Sequence, residues 1–442
     1  MLKLNILKKI ACLTLVLAAL LVPACAAEPP VINAKAAILY EAKSGEILFE
    51  QNADAQLYPA STTKLMTAIV ALEQGNPDDV VTVSEQAIAG LPERGSSVFL
   101  AAGEQMPFLD MLKYLLISSG NDAANALAEH VAGSTDAFVA LMNAKAAELG
   151  CTGTHFANPH GLHDDDHYTT AHDMLLIARH ALDNPTIAEI VALPQTKIAP
   201  TNKHPNESTL TTTNHLISKI KQSEYYYPSA IGVKTGFTTP AGYCLVAAAV
   251  NGELTYISVV LGGAKAEDGS LGSFTETIKL LDYAKDNFSF QVLAEASDPI
   301  TEVPVRLATD RDTLVLTPEG SLSALLPADF DKSAVKVQFT VDEDIRAPIS
   351  KGQTLGKATF SYDGRDYGTL NLVASADVER SKTLYIVDRI TSFFSSKAFR
   401  IVVGTVLALA VLSVAGLFML RAHNKRRRRR QHSRSRGGYR RR

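Results

Sequence analysis

Cysteine is scarce in this chain of 442 residues: four occur, and Cys12 and Cys25 fall in or at the edge of an apolar N-terminal stretch. Cys151 and Cys244 are too few for a disulfide scaffold, and no C-x-x-C spacing offers a metal site. Two buried thiols are the plain expectation, and spacing leaves open whether they pair. The H-E-x-x-H helix of a metallopeptidase is missing, and no internal repeat is found. Acidic residues are absent from residues 421–442, where twelve Lys or Arg crowd together. With those twelve and Lys3, Lys8 and Lys9 set aside, 28 basic residues face 46 acidic ones, a net charge near −18. A body that acidic excludes nucleic acid as its partner.

What is present begins with a basic n-region followed by the apolar run Ile10 to Val22, too short to span a bilayer. Ala24-Cys25-Ala26 then offers a small-residue cleavage site, so residues 1–26 read as a signal peptide. A lipoprotein site at Cys25 is the rival, and Pro23 makes it a poor match. Ile401 to Leu420 is uncharged, mainly apolar and long enough to cross a hydrocarbon core. The cationic tail at 421–442 belongs on the cytoplasmic side and touches anionic lipid. The expected product is a single-pass protein of the cell membrane whose bulk lies outside the cytoplasm.

Hydrophobic patterning divides that bulk. Ala37-Ile38-Leu39-Tyr40, a turn at Lys43-Ser44-Gly45, and Ile47-Leu48-Phe49 read as a hairpin. From Tyr58 to about Asp183 the spacing is mainly helical. Strands return at Ile231 to Thr235, Tyr243 to Val250 and Thr255 to Leu261, before a helix over Phe274 to Asn287. The fold class is α+β: an antiparallel sheet in which the early hairpin pairs with the late strands, covered by helices, over residues 31–287. Short runs separated by Asp, Gly and Pro predict a small all-β domain at 290–376. Residues 379–400 are a juxtamembrane linker with an amphipathic stretch at Leu384, Val387, Ile390 and Phe394.

The chemistry lies in three short motifs. S-x-x-K occurs at Ser61, Ser218 and Ser333, and only the first has a promising context. Pro59 suits a first helical turn, and Leu65 to Leu72 would bury the helix that follows. Ser61 then lies near a helix N-terminus with Lys64 on the same face. The copies at 218 and 333, in a polar stretch and an alternating strand, read as surface residues. A lysine acts as a base only when neutral, and both burial and a nearby like charge favour that state. Lys234, in Lys234-Thr235-Gly236, supplies such a charge and can hold a carboxylate. Ser119, in Ser119-Gly120-Asn121, can relay a proton, and Asn121 can offer its amide to a peptide group. Thr235 and the strand after Gly236 complete the grip, with glycine allowing close approach. This set activates a serine without histidine and needs no metal or cofactor.

Tyr58-Pro59-Ala60-Ser61-Thr62-Thr63-Lys64-Leu65, Gly95-Ser96-Ser97, Asn158-Pro159-His160-Gly161-Leu162 and Gly232-Val233-Lys234-Thr235-Gly236-Phe237-Thr238 together resemble the D-alanyl-D-alanine carboxypeptidases of the low-molecular-mass penicillin-binding protein family. The resemblance covers about Lys35 to Asp286. It implies a β-lactamase/transpeptidase-like domain, peptidoglycan stem peptides as substrate, and β-lactams as inhibitors that acylate Ser61. It also implies catalytic roles for Ser61, Lys64 and Ser119, and substrate binding by Asn121, Lys234, Thr235, Gly236, Phe237 and Thr238. The backbone N–H groups of Ser61 and Phe237 would form the oxyanion hole. The chain departs from the family's usual amphipathic anchor by its hydrophobic span and Arg-rich tail, and position 237 is Phe where some relatives carry a polar residue.

Three rival readings stand beside this one. A class A β-lactamase shares the motifs, but its E-x-x-L-N segment is not found. A metal hydrolase is suggested by His155, His160, His163, His167, His172 and Asp164-Asp165-Asp166. A wall-binding scaffold with a dead site is disfavoured by the intact motifs. On oligomeric state the sequence is silent.

Overall fold

The computed structural model describes residues 28–91 and 95–436. The expected signal peptide at 1–26 lies outside the described residues. The chain divides into two compact units, Met1–Gln291 with Leu325–Phe330, and Val292–Ala324 with Asp331–Arg442.

The first unit is built on β1 (Ala36–Glu41) and β2 (Glu46–Gln51), with β3 (Ala230–Thr238), β4 (Gly242–Asn251) and β5 (Leu254–Gly263) arriving late in the chain. Their order is β2-β1-β5-β4-β3, all antiparallel, so the early hairpin does pair with the late strands. Ala36 lies opposite Leu261 and Glu41 opposite Tyr256. Every residue of β1 is buried, because the strand is covered on both faces. Period-2 geometry sends Ile38 and Tyr40 to one face and Ala37 and Leu39 to the other.

The first face meets α1 (Lys64–Gln74), α2 (Phe108–Leu116), α3 (Asn121–Ala132), α4 (Thr135–Glu148) and α5 (Ala171–Asp183), whose apolar residues form one continuous core. The opposite face packs on Leu280, Leu281 and Ala284 of α6 (Gly272–Asn287). α1 is buried from Lys64 to Ala71, as expected of a helix inside the helical layer rather than on its surface. Burying each large side chain there stabilises the fold by about 2 kcal/mol. A charged lysine at the head of such a helix therefore demands a reason.

In the second unit, β6 (Thr301–Pro304), β7 (Thr313–Pro318), β8 (Lys336–Val341), β9 (Thr354–Tyr362) and β10 (Arg365–Ala374) form a sheet of order β6-β7-β10-β9-β8. Two helices follow. α7 (Lys382–Ser395) begins where the Ser381 hydroxyl accepts from Leu384 N, 3.3 Å away, and exposes Leu384, Ile386, Val387, Ile390, Phe393 and Phe394. α8 (Lys397–Arg436) holds the expected span and runs on into the basic tail. Among the described residues it is the one helix long and apolar enough to cross a membrane, and it fits a membrane anchor.

Of the remaining S-x-x-K copies, Ser333 is exposed as expected and Ser218 is not. Ser218 is buried, with its hydroxyl accepting from Ile220 N at 3.2 Å. Ser333 sits in the short turn Lys332–Ala334 ahead of β8 rather than in a strand. A polar segment folded over a core hides small side chains that composition alone assigns to solvent. Cys151 and Cys244 are free and buried.

Candidate active site

Three elements converge on Ser61. Its own is a tight turn, Ala60–Thr63, that opens at Pro59 and runs directly into α1. The Thr62 hydroxyl donates to Pro59 O at 2.7 Å and the Thr63 hydroxyl to Ala60 O at 2.8 Å, so side chains satisfy carbonyls at the helix start. Ala60 has φ +48, an uncommon conformation for a residue with a side chain, and it turns the chain into the nucleophile position.

Lys64 is fully buried. Its Nζ lies 3.0 Å from Ser61 Oγ, 2.7 Å from Asn121 Oδ1 and 2.6 Å from His160 O. None of these neighbours is a carboxylate. Burial pulls the amine well below the usual lysine range, the positive charge of Lys234 adds to that, and Asp122 opposes it. A neutral amine has two N–H donors and one lone pair. The two carbonyl oxygens can only accept, so they take both donors. The lone pair is left facing Ser61, whose hydroxyl must then donate. Burial and hydrogen-bond geometry thus agree on a lysine poised to receive the serine proton.

The second element is the start of α3. Ser119 is held at φ +63, and Gly120 precedes the first helical residue, Asn121. Ser119 Oγ accepts from Lys234 Nζ at 2.9 Å, so its direct partner is the second lysine. Asn121 spends its amide oxygen on Lys64, which leaves the NH2 end for a ligand. Asp122 follows, 1% exposed, accepting from Ser97 Oγ at 2.7 Å and from Val98 N and Leu100 N at 3.1 Å. That carboxylate ties the 96–100 loop to the helix, and Asn121 N adds a bond to Ser96 O at 2.7 Å.

The third element is β3, the terminal strand of its sheet. Lys234 is 1% exposed, donates to Thr235 O at 2.9 Å, and is pulled by burial down to about 7. The Thr235 and Thr213 hydroxyls are 2.6 Å apart. A Cβ on Gly236 would stand 3.0 Å from Pro59 O and from Ser61 N. The glycine therefore lets the strand pass the nucleophile turn, a different reason from approach by a ligand. Phe237 is half-exposed against Tyr243, and the Thr238 hydroxyl accepts from Ala241 N at 3.2 Å in the β3–β4 turn. Ser61, Ser119, Asn121, Thr235, Gly236, Phe237 and Thr238 all line one cleft of about 480 Å³. Lys64 and Lys234 sit behind its wall.

The roles of several supporting residues escaped sequence reasoning, although the residues themselves stand in the 158–162 stretch and the histidine cluster. Gly161, at φ +84, lies so near the nucleophile turn that a Cβ would meet Ala60 O at 1.9 Å. His167 Nδ1 accepts from Ala157 N at 3.0 Å, so Nε2 carries the proton and meets the Thr63 hydroxyl oxygen at 2.8 Å. Burial pushes His167 down to about 4 and His160 to about 3, so both stay neutral. The histidines once grouped as a metal cluster go to separate partners: His155 to Asp166 O, His163 to Asp165, His172 to Asp54. Among the described residues no group of three metal-ligating side chains forms.

Known proteins carry the same architecture. A model of the D-alanyl-D-alanine carboxypeptidase family matches residues 24–265, and one of the penicillin-binding protein 5 C-terminal domain matches residues 288–380. The chain is 33% identical over 81% of its length to D-alanyl-D-alanine carboxypeptidase DacF of Bacillus subtilis, covering 89% of that protein. It is 36% identical to DacC of Escherichia coli, over 80% of this chain and 86% of the other. Among solved structures, penicillin-binding protein 5 of Haemophilus influenzae superposes with a TM-score of 0.58 at 33% identity, covering 80% of this chain and all of that one. The chain belongs to the D-alanyl-D-alanine carboxypeptidase family of serine hydrolases.

Proposed function

We propose that this chain removes the terminal D-alanine from peptidoglycan stem pentapeptides through an acyl-enzyme on Ser61, and that penicillin blocks it by acylating the same oxygen. The observation that carries the proposal is the buried, carboxylate-free amine of Lys64 at 3.0 Å from Ser61 Oγ.

In the first step the Ser61 proton passes to Lys64 as Oγ attacks the carbonyl carbon of the penultimate D-alanine. The backbone N–H groups of Ser61 and Phe237 receive the oxyanion, the largest single source of rate enhancement in such chemistry. The C–N bond then breaks as Lys64 gives up that proton through the Ser119 hydroxyl to the departing amine, which leaves Lys64 neutral and an ester on Ser61. Water hydrolyses that ester with Lys64 again as base. Lys234, Thr235 and Gly236 hold the leaving residue's carboxylate. Asn121 grips the peptide group, and Phe237 and Thr238 line its path along the terminal strand.

Residues 31–287 carry this chemistry, and 290–376 form a β domain between it and the linker at 379–400. Segment 401–420 anchors the protein, with the active site outside the membrane and 421–442 on anionic lipid inside. Mass spectrometry after penicillin treatment, combined with D-alanine release from a pentapeptide, tests the chemistry. An adduct on Ser61 and released D-alanine support it; an unlabelled Ser61 refutes it. Protease shaving of spheroplasts tests orientation, and a catalytic domain left intact would contradict it.

A further inference from the structure

A buried negative charge stands beside the nucleophile. Asp122 follows Asn121 at the start of α3 and is 1% exposed. Its Oδ1 accepts from Ala123 N at 3.0 Å, and its Oδ2 from Leu100 N at 3.1 Å. Val98 N is shared between the two oxygens at 3.2 and 3.1 Å, and the Ser97 hydroxyl donates to Oδ2 at 2.7 Å. A carboxyl whose oxygens both accept N–H groups has no place for a proton of its own, so Asp122 is an anion. Its four donors are all neutral. Tying down a loop takes hydrogen bonds, whereas burying a charge for that purpose alone is costly.

The acylation step creates the charge that Asp122 lacks as a partner. Lys64 begins neutral, takes the Ser61 proton and gives it up through Ser119. Between those events it is an ammonium, fully buried, with only oxygens of Ser61, Asn121 and His160 on its nitrogen. Burial opposes that state and the charge of Lys234 opposes it further, while Asp122 favours it. The other titratable groups on this side, His160 and His167, are neutral. Around Asp122 the 96–100 loop carries no charge. On the α2 side, burial holds the Tyr114 hydroxyl above the usual phenol range against a bond from Ser208, with Glu104, Asp110 and Asp122 adding to the rise. Asp110 itself is paired with Lys113 at 2.8 Å. A general base works best when its proton affinity lies near the working pH. Burial and Lys234 drive Lys64 downward, and one fixed anion limits the descent.

The structure assigns Asp122 a duty beyond tying the loop: it is a positioning residue that acts through Lys64, its carboxylate steadying the ammonium formed between proton uptake from Ser61 and proton delivery through Ser119. Asp122 stays ionised throughout, so the proton balance is that of the acylation itself. This rests on the Ser61 chemistry proposed above and deepens it. By linkage, removing the anion makes Lys64 easier to deprotonate and a weaker base.

Acylation of the full chain in detergent by a fluorescent penicillin, followed against pH, tests the inference. The rate should climb from acid to a plateau as Lys64 loses its proton. In Asp122→Asn that climb should move toward acid by about one pH unit. The plateau should fall about threefold, because a half-transferred proton feels half of the lost stabilisation. Ser97→Ala removes a bond to the loop and keeps the charge, so its climb should stay at the wild-type pH however much the rate drops. Asp122→Glu keeps the charge on a longer arm and should bring the climb back toward the wild-type pH. A carboxylate that only ties the loop predicts slower acylation by Asp122→Asn with the climb unmoved, which overturns the inference. The wild type gives a reading that needs no substitution at 122: in isotope-labelled chain, one aspartate carboxyl carbon should shift at the midpoint of the climb and hold still in Lys64→Arg. Absence of such a signal also overturns the inference, whereas a wild type that penicillin fails to acylate at any pH overturns the proposed function itself.

Discussion

Replacing Gly161 with alanine should disable the nucleophile while leaving its chemistry intact. The added Cβ would stand 1.9 Å from Ala60 O, 2.5 Å from Ala60 C and 2.9 Å from Thr63 Oγ1. Non-bonded atoms rest at about 3.5 Å, so the Ala60 carbonyl must retreat by about 1.5 Å. Ala60 directly precedes Ser61, and the displacement is carried into Oγ. A misplacement of about 1 Å lowers the rate roughly 100-fold, so Gly161→Ala should acylate with a fluorescent penicillin about 100 times more slowly. Backbone strain contributes too, since φ is +84. Gly133 separates the two effects: it has φ +78, yet nothing lies within 4 Å of its added carbon. Gly133→Ala should lose about 1 kcal/mol in urea unfolding and acylate like the wild type. Equal acylation rates in Gly161→Ala, Gly133→Ala and the wild type would refute the claim that this loop sets the serine's position.

Lys64→Arg places a guanidinium that stays protonated where a neutral amine is required, so acylation should fall by about 10³ in a folded protein; intact-mass spectra with circular dichroism check both halves. His167 is neutral in the fold, at about 4 against its ordinary 6.5. Between those values the unfolded chain binds a proton that the folded one refuses. The stability His167 contributes is thus fully present above about pH 6.5 and lost as pH falls, at up to about 1.4 kcal/mol per pH unit. His167→Asn, whose amide oxygen can stand in for Nδ1, should show a shallower loss between about pH 6.5 and 5 by chemical denaturation. Identical slopes would contradict the assignment.

The sequence made the chemistry legible because each motif carries a group the reaction cannot do without, and because α1 advertises its burial from Leu65 onward. The sheet was legible for a similar reason: Ala37 to Tyr40 and Thr255 to Leu261 are apolar runs bounded by turns, and they pair as β1 and β5. What was hidden is whatever depends on a neighbour distant in sequence. Gly161 looks like any turn glycine until Ala60 is placed beside it. Asp122 resembles a helix-start acid until the 96–100 loop folds onto it. Ser218 looks solvated until the polar segment around it closes over the core.

The central claim is that Lys64 is an uncharged amine in the resting enzyme. Isotope-edited NMR of the lysine Nζ groups, assigned by Lys64→Arg, reads that state directly. A neutral-amine signal for Lys64 at about pH 7, protonating only on acidification, is the predicted result. An ammonium signal that persists to the ordinary lysine range would contradict it.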